Sequence, residues 1–217
     1  MTLWTEESRA AAVDRWLSQA PVLPVLAIEH IEDAEPLARA LVDAGLPVLE
    51  VTLRSAIALE AIARIVANVP GAIVGAGTVL TAEQLDAVTT AGAVFAIAPG
   101  CTQALYAAAA TASIPFIPAV ATASELMQGL EHGHRRFKFF PAESAGGINA
   151  LKSFAGPFPQ ARFCPTGGID AARAPAYLAL PNVITVGGSW MVPADALKAR
   201  DWARIGKLAR ASVAART

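Results

Sequence analysis

One lysine stands in the middle of an aromatic run, Phe137-Lys138-Phe139-Phe140-Pro141, and it is one of only four in a chain with many arginines. The other three, Lys152, Lys198 and Lys207, fall in helical segments and read as surface charges. Burying an ammonium group disfavours its charged form, so a lysine amine kept from water titrates toward roughly 7–8 instead of about 10.4. The free amine is then a nucleophile able to condense with a carbonyl carbon. The competing interpretation is a strand-edge lysine whose stem carries the charge to solvent. Period-two alternation puts Lys138 and Phe140 on one face of the strand.

Glu50 poses the same problem with the opposite sign. It sits inside Val48-Leu49-Glu50-Val51-Thr52-Leu53, where a carboxylate needs a partner or must take up a proton. Glu50, Thr52 and Arg54 share one face, so a base and a carboxylate-binding guanidinium can share one strand end. A structural Glu50–Arg54 pair fits the same spacing. Two glycine pairs add a third signal. Gly167-Gly168 and Gly187-Gly188-Ser189 follow the last two strand candidates, where many barrels bind phosphate through backbone N–H groups. Either pair could equally serve a tight turn.

The remaining reactive residues carry less. His132-x-His134 has the form of half a metal site, but it precedes the Lys138 strand and reads as a surface turn at the opposite end; His30 stands alone. Without a converging His/Asp/Glu cluster, metal-dependent chemistry is disfavoured, and a chelator is expected to leave activity intact. Cys101 and Cys164 have neither zinc-site nor redox-pair spacing, and Cys164 reads as a small core residue.

These residues must be positioned by regular elements. A first helix, from about Thr5 to Ala20, precedes strand candidates at Val22–Ile28, Val48–Leu53, Ile73–Val79, Val94–Ala98, Phe116–Val120, Phe137–Phe140, Arg162–Pro165 and Val183–Val186. Ala/Leu-rich helical segments separate them. Thr81-x-x-Gln84 and Thr122-x-x-Glu125 have the form of capping boxes, and Gly45, Gly92 and Gly133 each stand where a helix should stop. Strands alternating with helices predict a parallel sheet covered by helices. A closed barrel and an open doubly wound sheet both fit; the count of eight, the length of 217 residues and the lack of a Gly-x-Gly-x-x-Gly fingerprint after the first strand favour the barrel. The expected fold is therefore an α/β (β/α)8 TIM barrel with an extra N-terminal helix. No linker or shift in composition divides it, so residues 1–217 are expected to form one domain.

Composition excludes several classes. Net charge is close to zero, and the pair Arg135-Arg136 reads as a solvated strand entry, which argues against nucleic-acid partners. No apolar run approaches the ~18 residues needed to span a membrane. The N-terminus lacks a basic region leading into an apolar stretch, so no signal peptide is expected and the location is read as cytoplasmic. Hydrophobic residues make up 54% of the chain, and so little charge predicts apolar surface buried between subunits.

Four motifs together carry a resemblance: Val-Leu-Glu50-Val-Thr-Leu-Arg54, Ile-Val-Gly-Ala-Gly-Thr78-Val-Leu, Arg-Phe-Lys138-Phe-Phe-Pro-Ala-Glu and Arg-Phe-Cys-Pro-Thr166-Gly-Gly-Ile. In this order they closely resemble the 2-keto-3-deoxy-6-phosphogluconate (KDPG) aldolase / 4-hydroxy-2-oxoglutarate aldolase family, from the first helix to the closing Gly-Gly-Ser-Trp-Met-Val-Pro segment. The resemblance implies a class I lyase without cofactor or metal, usually a homotrimer, that cleaves KDPG to pyruvate and glyceraldehyde 3-phosphate in the Entner–Doudoroff pathway. It implies Lys138 as the Schiff-base lysine and Glu50 as the general acid/base acting through water. Arg54 and Thr78 would hold the pyruvyl carboxylate, and Pro99 and Phe140 would line the pocket. Thr166 would contact the aldehyde-derived part, and Gly167, Gly168, Gly188 and Ser189 would cradle the phosphate. Such enzymes often also cleave 4-hydroxy-2-oxoglutarate. The chain departs from the pattern at Ile-Pro-Ala119-Val, where glycine is expected in place of Ala119; this bears on substrate breadth and removes no catalytic group. The alternatives are the sister aldolase for the galactonate epimer, which Thr166 disfavours by family analogy, and a non-catalytic phosphosugar-binding barrel.

Overall fold

A computed structural model describes residues 4–214. The first residues of the stretch read for a leader lie outside it. Helix α1 (Glu6–Leu17) leads into β1 (Val22–Leu26), a 3-10 turn (Ile31–Asp33), α2 (Ala34–Val42), β2 (Val48–Thr52), α3 (Ala58–Asn68), β3 (Ile73–Gly77), α4 (Ala82–Thr90), β4 (Ala96–Ile97) and α5 (Gln103–Thr111). The chain continues through β5 (Phe116–Ile117), β6 (Ala119–Val120), α6 (Ala123–Glu131), β7 (Arg136–Phe139), α7 (Gly147–Ala155), β8 (Arg162–Pro165), α8 (Ala174–Leu178), β9 (Val186–Gly188), α9 (Ala194–Lys198) and α10 (Trp202–Val213).

The strands form a curled parallel sheet with helices between them. One set runs β5-β4-β3-β2-β1-β9 and the other β6-β7-β8. Two features join the sets. Only Pro118 lies between β5 and β6, and its carbonyl still accepts from Lys138 N–H at 3.0 Å. Parallel bridges Phe163↔Val183 and Thr166↔Gly187 connect β8 to the β9 segment. The expected strand Phe116–Val120 is thus two short pieces, because proline has no N–H to give the ladder. The expected strand Val94–Ala98 narrows to Ala96–Ile97, and the last, expected at Val183–Val186, instead spans Val186–Gly188.

Helix boundaries follow their caps. Thr5 and Ser8 bond reciprocally at the start of α1, and Thr122 with Glu125 makes a full capping box at α6. At α4, Thr81 caps Gln84 N–H, but the Gln84 side chain accepts from Leu80 N–H, one residue before the cap. Gly45, Gly92 and Gly133 all have positive φ after their helices, as expected.

Alternation along β7 sorts its side chains by layer. Phe137 and Phe139 pack outward with Phe154, Phe163 and Leu151, beneath α6, α7 and α8. Lys138, between them, is in register with Ala119 and Cys164, and Cys164 belongs to a cluster with Val48, Phe95, Ile97 and Ile117. That cluster also contains Val13 and Leu17 of α1, so the first helix packs against the same set of residues.

Two expectations fail at α1. Arg135 and Arg136 are not a solvated pair: Arg135 bonds Glu6, and Arg136 makes a two-pronged contact with Asp14, Nε to Oδ1 and Nη2 to Oδ2, each 2.6 Å. Nor is His132-x-His134 a surface turn. His134 is 1% exposed, with Tyr106 and Phe116 rings at 5.5 and 6.0 Å, and only His132 faces water. The Tyr106 ring on α5 and the Phe116 ring on β5 pack against His134, and Arg9 of α1 donates to the His132 carbonyl beside it at 3.0 Å. Burial, with Arg9 the next contributor, pushes the His134 pKa down to about 3.

Candidate active site

The lysine and the glutamate meet. Lys138 Nζ on β7 donates to Glu50 Oε1 on β2 at 2.8 Å; Lys138 is 6% exposed and Glu50 0%. The strand-edge interpretation of Lys138 therefore falls, and so does a Glu50–Arg54 pair. Glu50 Oε2 is buried with no hydrogen-bond partner among the described residues, leaving an acceptor beside the amine. Glycine makes room for this carboxylate: a Cβ on Gly77 would stand 2.2 Å from Glu50 Oε1. The Phe140 ring, on the same side as Lys138, has its centroid 5.4 Å from Nζ.

Arg54 is tethered through one nitrogen of its guanidinium. Its Nε donates to Thr52 Oγ1 at 2.9 Å, and that hydroxyl donates to Leu26 O at 2.8 Å. Among the described residues Arg54 forms no ion pair with an acid. Thr78 follows the last residue of β3 with φ of 59°, a left-handed conformation unusual for threonine. Pro99, half-buried, follows β4. Both stand just beyond the C-terminal ends of their strands, as Arg54 does beyond β2.

Thr166 is buried after β8, and Gly187 lets it in: a Cβ there would lie 2.2 Å from Thr166 Oγ1. Its neighbour Cys164 is buried, as expected; burial first and the Glu50 carboxylate second push that thiol up to about 12. Gly167 and Gly168 have φ of 107° and 78°, conformations that favour glycine. Gly188 is needed for a different reason, since a Cβ would run into the Trp190 ring at 1.9 Å. Ser189 is exposed and lines, with Arg54, Glu29, His30 and Lys198, a cavity of about 760 Å³ beside the end of β1. Neither Lys138 nor Glu50 belongs to that cavity wall.

Reading the residues one at a time missed Glu143, Tyr177 and Arg173, which are tied to one another behind the Gly167-Gly168 loop. The available signal was Glu143 itself, an acid five residues beyond Lys138. Among the described residues no group of three or more His, Cys, Asp or Glu could hold a metal ion, and no helix is long and apolar enough to cross a membrane.

The chain matches the family model "Aldolase: KDPG and KHG aldolase" over residues 13–208. It is 56% identical over 197 residues to the KHG/KDPG aldolase of Escherichia coli K12, covering 91% of this chain and 92% of that one. It superposes with a TM-score of 0.90 on the KDPG aldolase of Legionella pneumophila, crystallised with pyruvate captured as a covalent carbinolamine. That match has 49% identity and covers 92% of this chain and 97% of that one. A native KDPGal structure is more distant, with a TM-score of 0.78, 27% identity and coverage of 92% and 96%.

Proposed function

The chain belongs to the KDPG and KHG aldolase family, and we propose that it works as a class I aldolase, reversibly cleaving KDPG to pyruvate and glyceraldehyde 3-phosphate. The observation that carries this reading is the 2.8 Å contact between Lys138 and Glu50, both closed off from solvent. A phosphosugar-binding barrel without catalysis would have no use for that pair. The carbinolamine formed by pyruvate on the Legionella enzyme supports the same chemistry here.

The steps follow from what each side chain can do. Glu50 takes a proton from the Lys138 ammonium, and the free amine attacks C2 of the keto acid. Loss of the C2 oxygen as water gives an iminium ion. Glu50, through water, accepts the C4 hydroxyl proton while the C3–C4 bond electrons flow into the iminium. Glyceraldehyde 3-phosphate leaves, and an enamine remains. Protonation at C3 and hydrolysis then release pyruvate and restore the amine. The iminium is the electron sink, so these steps call for no cofactor.

Arg54 and Thr78 hold the pyruvyl carboxylate in this reading, with Arg54 supported by a guanidinium that no acid pairs with among the described residues. Pro99 and Phe140 line the pyruvyl pocket, and Thr166 contacts the aldehyde part. Gly167, Gly168, Gly188 and Ser189 cradle the phosphate through backbone N–H groups and the serine hydroxyl. The two strand sets, joined at Pro118 and at the β8–β9 bridges, support closure into a (β/α)8 barrel, with α1 as its extra N-terminal helix. We take residues 1–217 as one domain, working as a cytoplasmic homotrimer in the Entner–Doudoroff pathway and cleaving 4-hydroxy-2-oxoglutarate as well. Ala119, in register with Lys138, bears on that breadth.

Cleavage rates on the two epimers, read as pyruvate release, test the substrate. The expected outcome is a kcat/KM for KDPG at least about tenfold above that for the galactonate epimer, a difference of about 1.4 kcal/mol in transition-state binding. The reverse preference would assign the sister activity.

A further inference from the structure

The Gly167-Gly168 loop is held from behind by a side chain that the reaction steps leave unused. Glu143 lies in the segment that follows β7, and its backbone N–H donates to the Gly167 carbonyl at 3.1 Å. One residue earlier, Ala142 N–H donates to the Thr166 carbonyl at 2.8 Å. The Glu143 carboxylate accepts the Tyr177 hydroxyl through Oε1 and pairs with Arg173 Nε at 3.3 Å through Oε2. Tyr177 is fully buried on α8, so its hydroxyl needs such a partner. Arg173 Nη1 binds Asp170 Oδ2 at 2.7 Å and reaches the Gly168 carbonyl at 3.5 Å. The fit is close as well as polar: a Cβ on Gly168 would stand 2.8 Å from Cβ and Cγ of Glu143.

Peptide geometry turns this clamp into an orientation. Phe140–Pro141 is the one cis peptide bond among the described residues, so the glycine loop is trans throughout. In a trans peptide the carbonyl of one residue and the N–H of the next point in opposite directions. With the Gly167 carbonyl turned to Glu143 and the Gly168 carbonyl toward Arg173, the N–H groups of Gly168 and Ile169 point away from the clamp. Successive backbone N–H groups in a turn can make an anion-binding concavity.

We propose that Glu143 is a positioning residue for the phosphate end of the substrate, acting through Gly167 and Gly168 and braced by Tyr177 and Arg173. This rests on the reading of that loop as the phosphate cradle. Glu143 touches neither the reacting carbons nor the phosphate. Its effect is confined to phosphorylated substrates.

The test compares KDPG with its unphosphorylated counterpart, 2-keto-3-deoxygluconate, in steady-state cleavage by Glu143→Ala, Glu143→Gln and Tyr177→Phe. Inorganic phosphate serves as a competitive probe of the unaltered enzyme. Losing a hydrogen bond to a charged group predicts a rise of roughly tenfold in KM for KDPG in Glu143→Ala. Changes in kcat, and in kcat/KM for the unphosphorylated acid, should stay within about twofold, since the same machinery forms the imine. Tyr177→Phe keeps the buried ring and should show a smaller loss of the same kind. Glu143→Gln keeps an acceptor for Tyr177 and should recover most of the KM. If phosphate inhibits the unaltered enzyme but the variants lose both substrates alike, or neither, the role of Glu143 is overturned while the phosphate cradle stands. If phosphate does not inhibit and Gly168→Ala leaves the KM for KDPG unchanged, the cradle itself is overturned and the positioning role with it.

Discussion

Lys138 Nζ lies 2.8 Å from Glu50 Oε1, although 88 residues separate the two in the chain. A buried ion pair is a poor stabilising device, because desolvating both charges offsets much of their attraction. Here the pair also leaves one carboxylate oxygen without a hydrogen-bond partner among the described residues. The arrangement fits a base held ready beside a nucleophile better than it fits a structural bridge.

Replacing Glu50 by glutamine should separate the two roles. The amide keeps the shape but cannot take a proton, so imine formation remains possible while turnover falls by roughly 10²–10⁴. Steady-state pyruvate release, set beside imine trapping on the same preparation, measures both. Near-normal turnover would remove Glu50 from the chemistry.

The same pair predicts an asymmetry in stability. Lys138→Met leaves the Glu50 carboxylate buried and uncompensated, a change that costs about 3–5 kcal/mol. Adding Glu50→Gln removes that stranded charge, so the double variant should be more stable than the single one. Urea midpoints at neutral pH report the order. A double variant less stable than Lys138→Met would show that the two side chains do not compensate each other.

His134 predicts an acid sensitivity located at the turn before β7. Its pKa is about 3 in the folded protein and 6.5 ordinarily, lowered by burial and by the facing Arg9, His132 and Arg135, against a raising contribution from the Phe116 backbone. Between those values the unfolded chain holds a proton that the folded one does not. Stability therefore falls as pH falls through this window, by about 1.4 kcal/mol per pH unit from this group. Urea midpoints of His134→Phe should decline less steeply from pH 6.5 to 4 than those of the unaltered protein. Identical slopes would place the sensitivity elsewhere.

The sequence exposed the site better than it exposed the frame around it. Lys138 and Glu50 were visible because a charge within an apolar strand contradicts its surroundings, and the phase of alternation sent both inward. Their contact was not visible, since no local pattern encodes which strands face each other across a curled sheet. Arg135 and Arg136 were misread because α1 pairs with them, and His134 because the Tyr106 and Phe116 rings pack on it; nothing local tells where such distant elements dock. Strand lengths erred where proline intervenes, as at Pro118. The Glu143 clamp escaped notice because a glutamate after a strand looks like any surface acid until Tyr177, 34 residues later, is seen to be bonded to it.

The central claim is a covalent bond between Lys138 and the substrate, and borohydride tests it most directly. Reduction in the presence of pyruvate should abolish activity and add the mass of a three-carbon acid to the protein, and peptide mapping should locate it at Lys138. Modification at another lysine, or inactivation that leaves Lys138 unmodified, would contradict the account.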